Sequence, residues 1–304
     1  MAESVAPGRP KTTTVGLMLP TVAVGSRPVP AHQVLEAARR AEAAGYDCVF
    51  AGDHLVYPRP VLECVVSLAA VAAVTRRVGI GSCVLLVALR QPLVLARQLA
   101  AVAAFAPGRL RVGVGVGGEV PAEFTRAGVS MGQRGAVTAA AVRELRALLA
   151  EQDHDADEAE ARGRTPTGEL SLPFFFGGSS QVALRRAAEL GDGWVGYLHS
   201  PASFGRRRSY LLAHRRQRGL GGAAFSTGMV LPVQLGSAGR IPADTGIPPQ
   251  RLVAGPVSQV LDTLASYRQA GCTELVLRLL DDGPGYLDQL DTIAAKILPA
   301  LRAP

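Results

Sequence analysis

Gly45-Tyr46-Asp47-Cys48-Val49-Phe50-Ala51-Gly52-Asp53-His54 is the stretch that decides the fold of this 304-residue chain. An alanine-rich helix is predicted to end at Gly45, since glycine adopts the positive φ of a helix C-terminus without a steric penalty. The apolar run that follows is typical of a strand covered on both faces. Asp53 and His54 come next, at the carboxyl end of that strand, where α/β folds carry their chemistry. The stretch therefore predicts a fold class and a candidate active site.

The order of helix, glycine, polar residue and strand returns at Ala187–Val195 and at Ala270–Leu277. Such recurring units with short turns indicate a parallel sheet. Eight strands are predicted, near residues 14–19, 48–51, 78–84, 110–116, 173–176, 194–197, 229–234 and 275–279. A closed (β/α)8 TIM barrel fits this number best, as a single domain of residues 13–304 after a disordered segment of residues 1–12. An open doubly wound sheet is the alternative.

Composition excludes several classes of function. The chain is 48% hydrophobic, and its net charge of +7 comes from 32 basic residues that include only two lysines. The main arginine cluster, between Arg206 and Arg218, is interpreted as the solvated face of a helix, so nucleic-acid binding is not favoured. The most apolar stretch, Cys64–Leu89, is interrupted by two arginines and by glycines, which argues against a membrane span.

Cysteine usage and the N-terminal residues bear on location and metals. The four cysteines have neither disulfide nor metal-ligand spacing and mostly lie in apolar runs, as expected of buried thiols in a reducing compartment. Residues 1–11 lack the apolar run of a signal peptide, so a cytoplasmic location is expected. The acidic run between Glu151 and Glu160 is interpreted as a solvated loop, and no metal site is predicted.

A glycine turn is the first candidate for cofactor binding. Gly177-Gly178-Ser179-Ser180 joins a predicted strand to a predicted helix. Backbone N–H groups at a helix N-terminus carry partial positive charge, and glycines let phosphate oxygens approach them closely. Ser179 or Ser180 can add a hydrogen bond. The alternative is a serine that caps an ordinary barrel helix.

A second glycine-rich stretch, Gly113–Glu119, imitates a dinucleotide-binding fingerprint. It fails that test because no helix opens directly after it. A strand whose small residues, Gly115 and Gly117, let a planar ring approach the backbone is the better interpretation. Glu119 either orients a ligand group or is a simple loop charge.

Asp53 and His54 form the candidate catalytic pair. A neutral histidine can donate or accept a proton near pH 7, and a carboxylate can fix its tautomer. Because side chains alternate along a strand, only one of the two is expected to face the mouth of the barrel. The alternative is an aspartate that caps the next turn beside a half-buried histidine. Tyr197 and His199, at the end of the sixth strand, are expected on the substrate side, and Arg278 ends the eighth.

Four local patterns together resemble the bacterial luciferase-like flavin monooxygenase family, from about Val15 to Ser203 and again from Gly255. The patterns are Gly45–His54, Leu89–Pro92, Gly108–Glu119 with Glu123, Phe124 and Gly128, and Phe176–Ser180 leading to Gly191–Trp194. The resemblance implies a (β/α)8 barrel that binds FMN, or the deazaflavin coenzyme F420, at its C-terminal mouth, and often a homodimer. It also places Ser82 and Cys83 at a backbone bulge under the flavin ring, where Cys83 is expected to be a packed thiol.

The implied activity is that of a monooxygenase acting on a small organic substrate with oxygen and reduced FMN, which a flavin reductase or NAD(P)H supplies. F420-dependent hydride transfer is one alternative. Two segments that normally cover the substrate, Glu151–Leu172 and Leu235–Gly255, are short in this chain, and the second has no clear helix. A non-catalytic flavin-binding subunit of a heterodimer is therefore the other alternative.

Overall fold

The computed structural model of the protein describes residues 13–24, 28, 30–150, 170–236, 247–281 and 284–302. The segment predicted to be disordered, residues 1–12, and the acidic run within residues 151–160 lie outside the described residues. The same holds for most of the two short segments that were expected to cover the substrate.

Eight parallel strands close into a barrel. They are β1 (Thr14–Met18), β2 (Cys48–Ala51), β3 (Gly79–Leu85), β4 (Leu110–Val114), β5 (Phe174–Gly177), β6 (Gly193–Tyr197), β7 (Ser226–Leu235) and β9 (Glu274–Leu279). Neighbours along the chain pair from β1 to β7, and β9 pairs with both β7 and β1, which closes the ring. The predicted (β/α)8 barrel is confirmed, and the open sheet is excluded.

Helices surround the barrel. They are α1 (Ala31–Ala43), α2 (Cys64–Val74), α3 (Pro92–Phe105), α4 (Pro121–Arg126), α5 (Arg134–Ala150), α6 (Gln181–Leu190), α7 (Pro201–Gln217), α8 (Val257–Gln269), α9 (Pro284–Lys296) and α10 (Leu298–Arg302). Local signals explain several starts. Proline occupies the first turn of α3, where its missing N–H costs nothing, and the Gln91 side chain caps that helix. The α1 end is also as predicted, since Gly45 follows it with φ of +83°.

Several short elements were not predicted, among them a one-turn 3-10 helix at Val87–Leu89. The helix α4 follows the glycine-rich stretch, where no helix was expected to open directly. A one-turn 3-10 helix (Pro249–Arg251) and the strand β8 (Val253–Gly255) lie where no regular structure was expected. The strand β8 exists because it pairs with the end of β7, from Val233 to Leu235, so a tertiary contact and not local propensity creates it.

Side chains alternate between two apolar layers. The larger layer lies between the barrel and the helices and includes Trp194, which is fully buried. The smaller layer fills the barrel interior with Cys48, Phe50, Val195, Val230 and Val276. Lower in the barrel, Arg111 and Glu274 form a bidentate ion pair, with one N···O distance of 3.0 Å. The floor of the barrel is thus filled, and open space remains at the carboxyl ends of the strands.

All four cysteines are free thiols, and three of them are buried, as the spacing predicted. None of the helices in the described part of the chain combines the length and the apolar character needed to cross a membrane.

Candidate functional site

A cavity of about 580 Å³ opens at the carboxyl ends of the barrel strands. Every barrel strand, or the loop that follows it, contributes to its wall. Apolar side chains from the barrel interior, such as Met18, Val195 and Val230, form its lower part. This is the end of a (β/α)8 barrel where ligands and catalytic groups are found.

Most of the predicted site residues line this cavity. Those in the wall are Asp53, His54, Gly115, Gly117, Glu119, Gly177, Gly178, Ser179 and Tyr197, and Arg278 joins them. Three predicted residues, Ser82, Ser180 and His199, are not part of its lining. Both Asp53 and His54 are in the lining, but the Asp53 side chain is fully buried and its carboxylate is bound by Arg90 and the Leu86 N–H. The strand β2 ends at Ala51, and the alternation of side chains does not extend beyond it.

The floor of the cavity includes an irregular end of β3. The pairing of β3 with β4 shifts register between Ser82 and Leu85, and a cis peptide bond joins Cys83 to Val84. The Ser82 hydroxyl donates to the Gly113 carbonyl oxygen at 2.9 Å, below the cavity. Cys83 faces the cavity, but burial raises the pKa of its thiol to about 12. The bulge is therefore present where it was expected, and Cys83 is a packed thiol there.

Asp53 is bound to an arginine and not to His54. Its carboxylate accepts both Nη groups of Arg90, at 2.7 and 2.8 Å, and the Leu86 N–H at 2.9 Å. The Asp53 side chain is fully buried, and Arg90 reaches Glu63 at 2.7 Å on its other side. The idea that Asp53 fixes the tautomer of His54 does not match this geometry. The Asp53 contacts tie β2 to the turn after β3.

The carboxylate that contacts His54 belongs to Glu123, in α4. Its Oε1 lies 3.1 Å from His54 Nδ1 and also accepts the N–H groups of Leu55, at 2.9 Å, and Val56, at 3.1 Å. The His54 ring stacks on Tyr57, with ring centroids 3.9 Å apart. Its Nε2 lies 3.9 Å from Glu119 Oε2, and the Glu119 side chain is 70% exposed. His54 is thus held on two sides, and Nε2 lies next to Glu119, which lines the cavity together with His54.

The glycine turn begins helix α6 as predicted. Gly178 has φ of +117°, a conformation that L side chains rarely adopt, and its carbonyl oxygen accepts the Trp194 Nε1–H at 2.8 Å. Ser180 caps α6 by accepting the Ala183 N–H at 3.2 Å. This contact is the capping role that was left open for Ser180, whereas Ser179 faces the cavity.

His199 lies behind the glycine turn. Its Nε2 is 3.1 Å from the Ser179 hydroxyl oxygen, and its carbonyl oxygen accepts the Tyr267 hydroxyl at 2.6 Å. Burial, with the nearby charges of Arg207 and Arg251, lowers the pKa of His199 to about 4. A neutral His199 therefore supports the turn at pH 7. Tyr197 remains the residue of this strand end that faces the cavity, and its hydroxyl accepts Arg278 Nη1 at 2.9 Å.

A half-buried arginine beside the glycine-rich loop was not predicted, and its Nη1 donates to the Met131 carbonyl oxygen. Arg134 lies against Gly118, such that a Cβ on that glycine would be 3.0 Å from Arg134 Nε. That Nε is buried and has no hydrogen-bond partner among the described residues. Burial and the charge of Arg134 together lower the pKa of Arg186, which belongs to the helix that the glycine turn begins. Two adjacent like charges are a feature that a bound anion would stabilise.

The residues that sequence reasoning missed share one property. Glu123, Arg90 and Arg134 reach the site through contacts between segments far apart in the chain, and Glu123 is 69 positions from His54. Glu123 and Arg90 did lie within the patterns that carried the family resemblance. Arg134 had no signal beyond its place at the start of a predicted helix.

With the site described, its class can be stated. The model of the family described as luciferase-like monooxygenase matches residues 13–239. The chain belongs to this family, and the resemblance seen in the sequence is confirmed.

Among curated proteins, an uncharacterised protein of Mycobacterium tuberculosis is 29% identical over 187 residues, which cover 52% of this chain and 62% of the relative. An uncharacterised protein of Mycobacterium bovis matches equally. The match therefore spans less than two thirds of the length of these relatives.

Two solved structures illustrate the likeness in fold. An F420-dependent secondary alcohol dehydrogenase in complex with an F420–acetone adduct superposes with a TM-score of 0.75, at 18% identity, over 96% of this chain and 100% of that chain. The oxygenating constituent of 3,6-diketocamphane monooxygenase from Pseudomonas putida, in complex with FMN, gives a TM-score of 0.74 at 16% identity, over 96% and 100%. At these identities the likeness shows the fold alone.

Proposed function

We propose that the protein is a flavin-dependent oxidoreductase, and specifically a monooxygenase that uses reduced FMN and oxygen on a small organic substrate. The single observation that carries this proposal is the cavity of about 580 Å³ at the barrel mouth, whose wall includes the glycine turn Gly177–Ser179 before α6. Membership of the luciferase-like family supports the proposal. So does the FMN in the similar diketocamphane monooxygenase structure.

The residues present fit a phosphate-bearing flavin. Arg134 and the N-terminus of α6, with Ser179 in front of it, suit a phosphate group. Gly115 and Gly117 leave the β4 end without side chains, and a Cβ on Gly117 would be 2.8 Å from the Phe124 ring. These glycines thus let Val84 and Phe124 pack closely against the strand end. Both glycines also line the cavity, and we expect a planar ring to lie on that side of the backbone, above the irregular end of β3. We expect Ser82 to act only by holding that floor through its bond to Gly113.

The bound cofactor would supply the redox chemistry. The protein residues bind and orient the reactants, exclude water and move protons. The apolar cavity floor keeps water away from the reacting atoms. His54 presents Nε2 to the cavity as the candidate acid or base. Tyr197 and Arg278 present a hydroxyl and a guanidinium from β6 and β9 for substrate contacts, whereas Asp53 acts as a support through Arg90.

Coenzyme F420 is the second candidate cofactor, with hydride transfer as the reaction. The positive charges of Arg207 and Arg251 both lower the pKa of His199, and Arg278 lines the cavity. One side of the mouth is therefore cationic. Such a surface suits the acidic tail of this coenzyme. The similar secondary alcohol dehydrogenase structure contains F420, which supports this reading as well.

Titration of the purified protein with FMN, riboflavin and F420 tests the proposal. Arg134→Met is expected to weaken FMN binding by about 10- to 100-fold, the usual effect of a lost hydrogen bond to a charged group. Its binding of riboflavin, which lacks the phosphate, is expected to stay within about 2-fold by the same reasoning. Arg143→Met, on the exposed side of the same helix, is the matched control and is expected to bind both like wild type.

Activity then separates the alternatives. With NAD(P)H and a flavin reductase present, oxygen consumption together with substrate oxidation supports the monooxygenase. Preference for F420 over FMN supports hydride transfer, and tight flavin binding without turnover supports a non-catalytic subunit. If the protein binds none of these cofactors, the proposal fails in every form.

We propose in addition that the protein is a homodimer that pairs through α2 and α3. Four large apolar side chains are exposed on these two helices: Val66, Leu93, Val94 and Phe105, with exposures from 52% to 67%. The helix α2 carries no charged residue. An apolar surface of this kind on two packed helices is typical of an interface. A cytoplasmic location also remains a prediction, and the free thiols suit it.

A further inference from the structure

Glu123 is buried more deeply than any role in its own helix requires. It belongs to the six-residue helix α4, yet its side chain is only 1% exposed. Its carboxylate reaches out of α4 to the loop after β2, where Oε1 contacts His54 Nδ1 and two backbone N–H groups. Its Oε2 is buried with no partner among the described residues. A carboxylate is rarely buried to this extent unless hydrogen bonds or an ion pair compensate for the loss of water.

These contacts determine which atom donates between His54 and Glu123. The N–H groups of Leu55 and Val56 can only donate, so Oε1 is an acceptor. If the carboxyl group carried a proton, that proton would sit on Oε2, the oxygen without a partner. In either state the hydrogen between Oε1 and the ring belongs to Nδ1 of His54. The neutral ring then has an unprotonated Nε2.

We propose that Glu123 is a positioning residue that holds His54 in its Nδ1–H tautomer, so that Nε2 is the proton acceptor of the cavity. This inference rests on the proposed function only in assigning a use to that acceptor. A proton that leaves a hydroxyl group of a bound ligand would go to Nε2. The resulting imidazolium would lie between the carboxylates of Glu123 and Glu119, which stabilise its charge.

The surroundings of the ring agree with this role. Tyr57 stacks on His54 with an interplanar angle of 17°, and Arg59 donates to the Tyr57 hydroxyl at 2.7 Å. Tyr57 therefore fixes the plane of the imidazole, and Glu123 fixes the orientation of the ring within that plane. Glu119 lies 3.9 Å from Nε2, beyond hydrogen-bond distance, and it is held by the Tyr57 hydroxyl at 3.2 Å. Among the described residues, Nε2 thus makes no hydrogen bond, although Glu119 is close enough to form an ion pair with a protonated ring.

Nitrogen-15 NMR of the histidine rings tests this proposal on the full chain without added cofactor, at about pH 8, which is above the usual histidine pKa of about 6.5. The chain has five histidines, and loss of one set of signals in His54→Gln assigns the ring. His214 provides an internal reference, because its Nε2 and not its Nδ1 contacts a carboxylate, Glu189 Oε1 at 2.7 Å. The two rings are expected to show opposite tautomers in one spectrum.

Two substitutions separate positioning from general structural support. Glu123→Gln keeps an acceptor oxygen, which the two backbone N–H groups hold toward His54, so the Nδ1–H tautomer is expected to persist. Glu123→Leu removes the acceptor, and the preference for that tautomer is expected to fall by about 10-fold or more, the usual effect of a lost hydrogen bond to a charged group. The His214 signals are expected to stay unchanged in both variants.

An Nε2–H tautomer for His54 in the wild-type protein overturns the proposal, and so does an unchanged tautomer in Glu123→Leu. If Glu123→Leu does not fold, the wild-type spectrum still decides. The cofactor titrations are independent of this test. A protein with the expected tautomer that binds no flavin contradicts only the proposed function, whereas flavin binding with the opposite tautomer contradicts only the role of Glu123.

Discussion

Asp53→Asn tests whether the first residue of the Asp53–His54 pair stabilises the fold or performs chemistry. The substitution keeps the shape of the side chain and removes its charge. In the structure this charge is fully buried and faces both Nη groups of Arg90. The change therefore leaves a guanidinium that is only 10% exposed with one carboxylate, that of Glu63, instead of two.

The magnitude follows from these contacts. Removal of one partner from a buried ion pair costs about 3–5 kcal/mol of unfolding free energy. Two features favour the lower end of this range. Glu63 stays 2.7 Å from Arg90, and the asparagine oxygen can still accept the Leu86 N–H. We expect a loss of about 3 kcal/mol, which lowers the Tm by roughly 5 °C for a chain of this size.

Urea denaturation followed by circular dichroism measures this loss, with thermal unfolding as a second readout. Glu63→Gln is the matched control, because it removes the other partner of Arg90. Glu63 is 38% exposed and its pair is partly solvated, so a loss below about 1 kcal/mol is expected. If Asp53→Asn unfolds like the wild type while oxidation of the substrate is abolished, Asp53 does not stabilise the fold. The result would instead support a catalytic role for Asp53.

Three further predictions concern the cofactor, the assembly and pH. Gly177→Val is expected to weaken FMN binding at least about 10-fold, because the new side chain fills the turn that would hold the phosphate. Gly222→Val is the control, since Gly222 is exposed with open space around it. Equal FMN affinities of the two variants would contradict phosphate binding at this turn. Val94→Lys is expected to convert the dimer to a monomer, as measured by light scattering. Val182→Lys, at a residue of α6 that is 56% exposed, is the control and is expected to leave the dimer intact. If Val94→Lys remains a dimer, the α2–α3 surface is not the interface. Because the pKa of His199 is lowered from 6.5 to about 4 in the folded protein, the unfolded chain binds the extra proton. Stability is then full above pH 6.5 and is lost as pH falls toward 4, by up to about 3 kcal/mol. His199→Gln is expected to flatten this part of the pH profile, and an unchanged profile would show that another group causes it.

Much of the fold was predictable because its signals are local. The helix from Pro92 to Phe105 is set by local signals, since proline at its start, a side-chain cap and apolar residues at helical spacing all act within a few residues. The strand β2 was found as a run of four buried residues. The strand β8 was missed because it has three residues and depends on pairing with β7.

Those parts of the candidate site that lie directly after the end of a strand were predictable from the sequence. The carboxyl ends of parallel barrel strands meet at one mouth, so residues just after those ends, such as His54, Glu119 and Ser179, come together in any barrel of this kind. Partners were not predictable in this way. The carboxylate next to His54 could have been Asp53, one residue away, and it is Glu123.

The amino-acid sequence by itself thus determined the barrel, the family resemblance and the edge at which the chemistry must lie. These depend on periodicity, turn glycines and helix caps, whose effects extend over one element. Only the tertiary structure decided that Asp53 supports the fold through Arg90, that Glu123 faces His54, and that Arg134 has an unpaired nitrogen beside the glycine loop. The reason is that contacts between distant segments depend on where closure of the barrel places each side chain. The local periodicity of the sequence does not determine these positions.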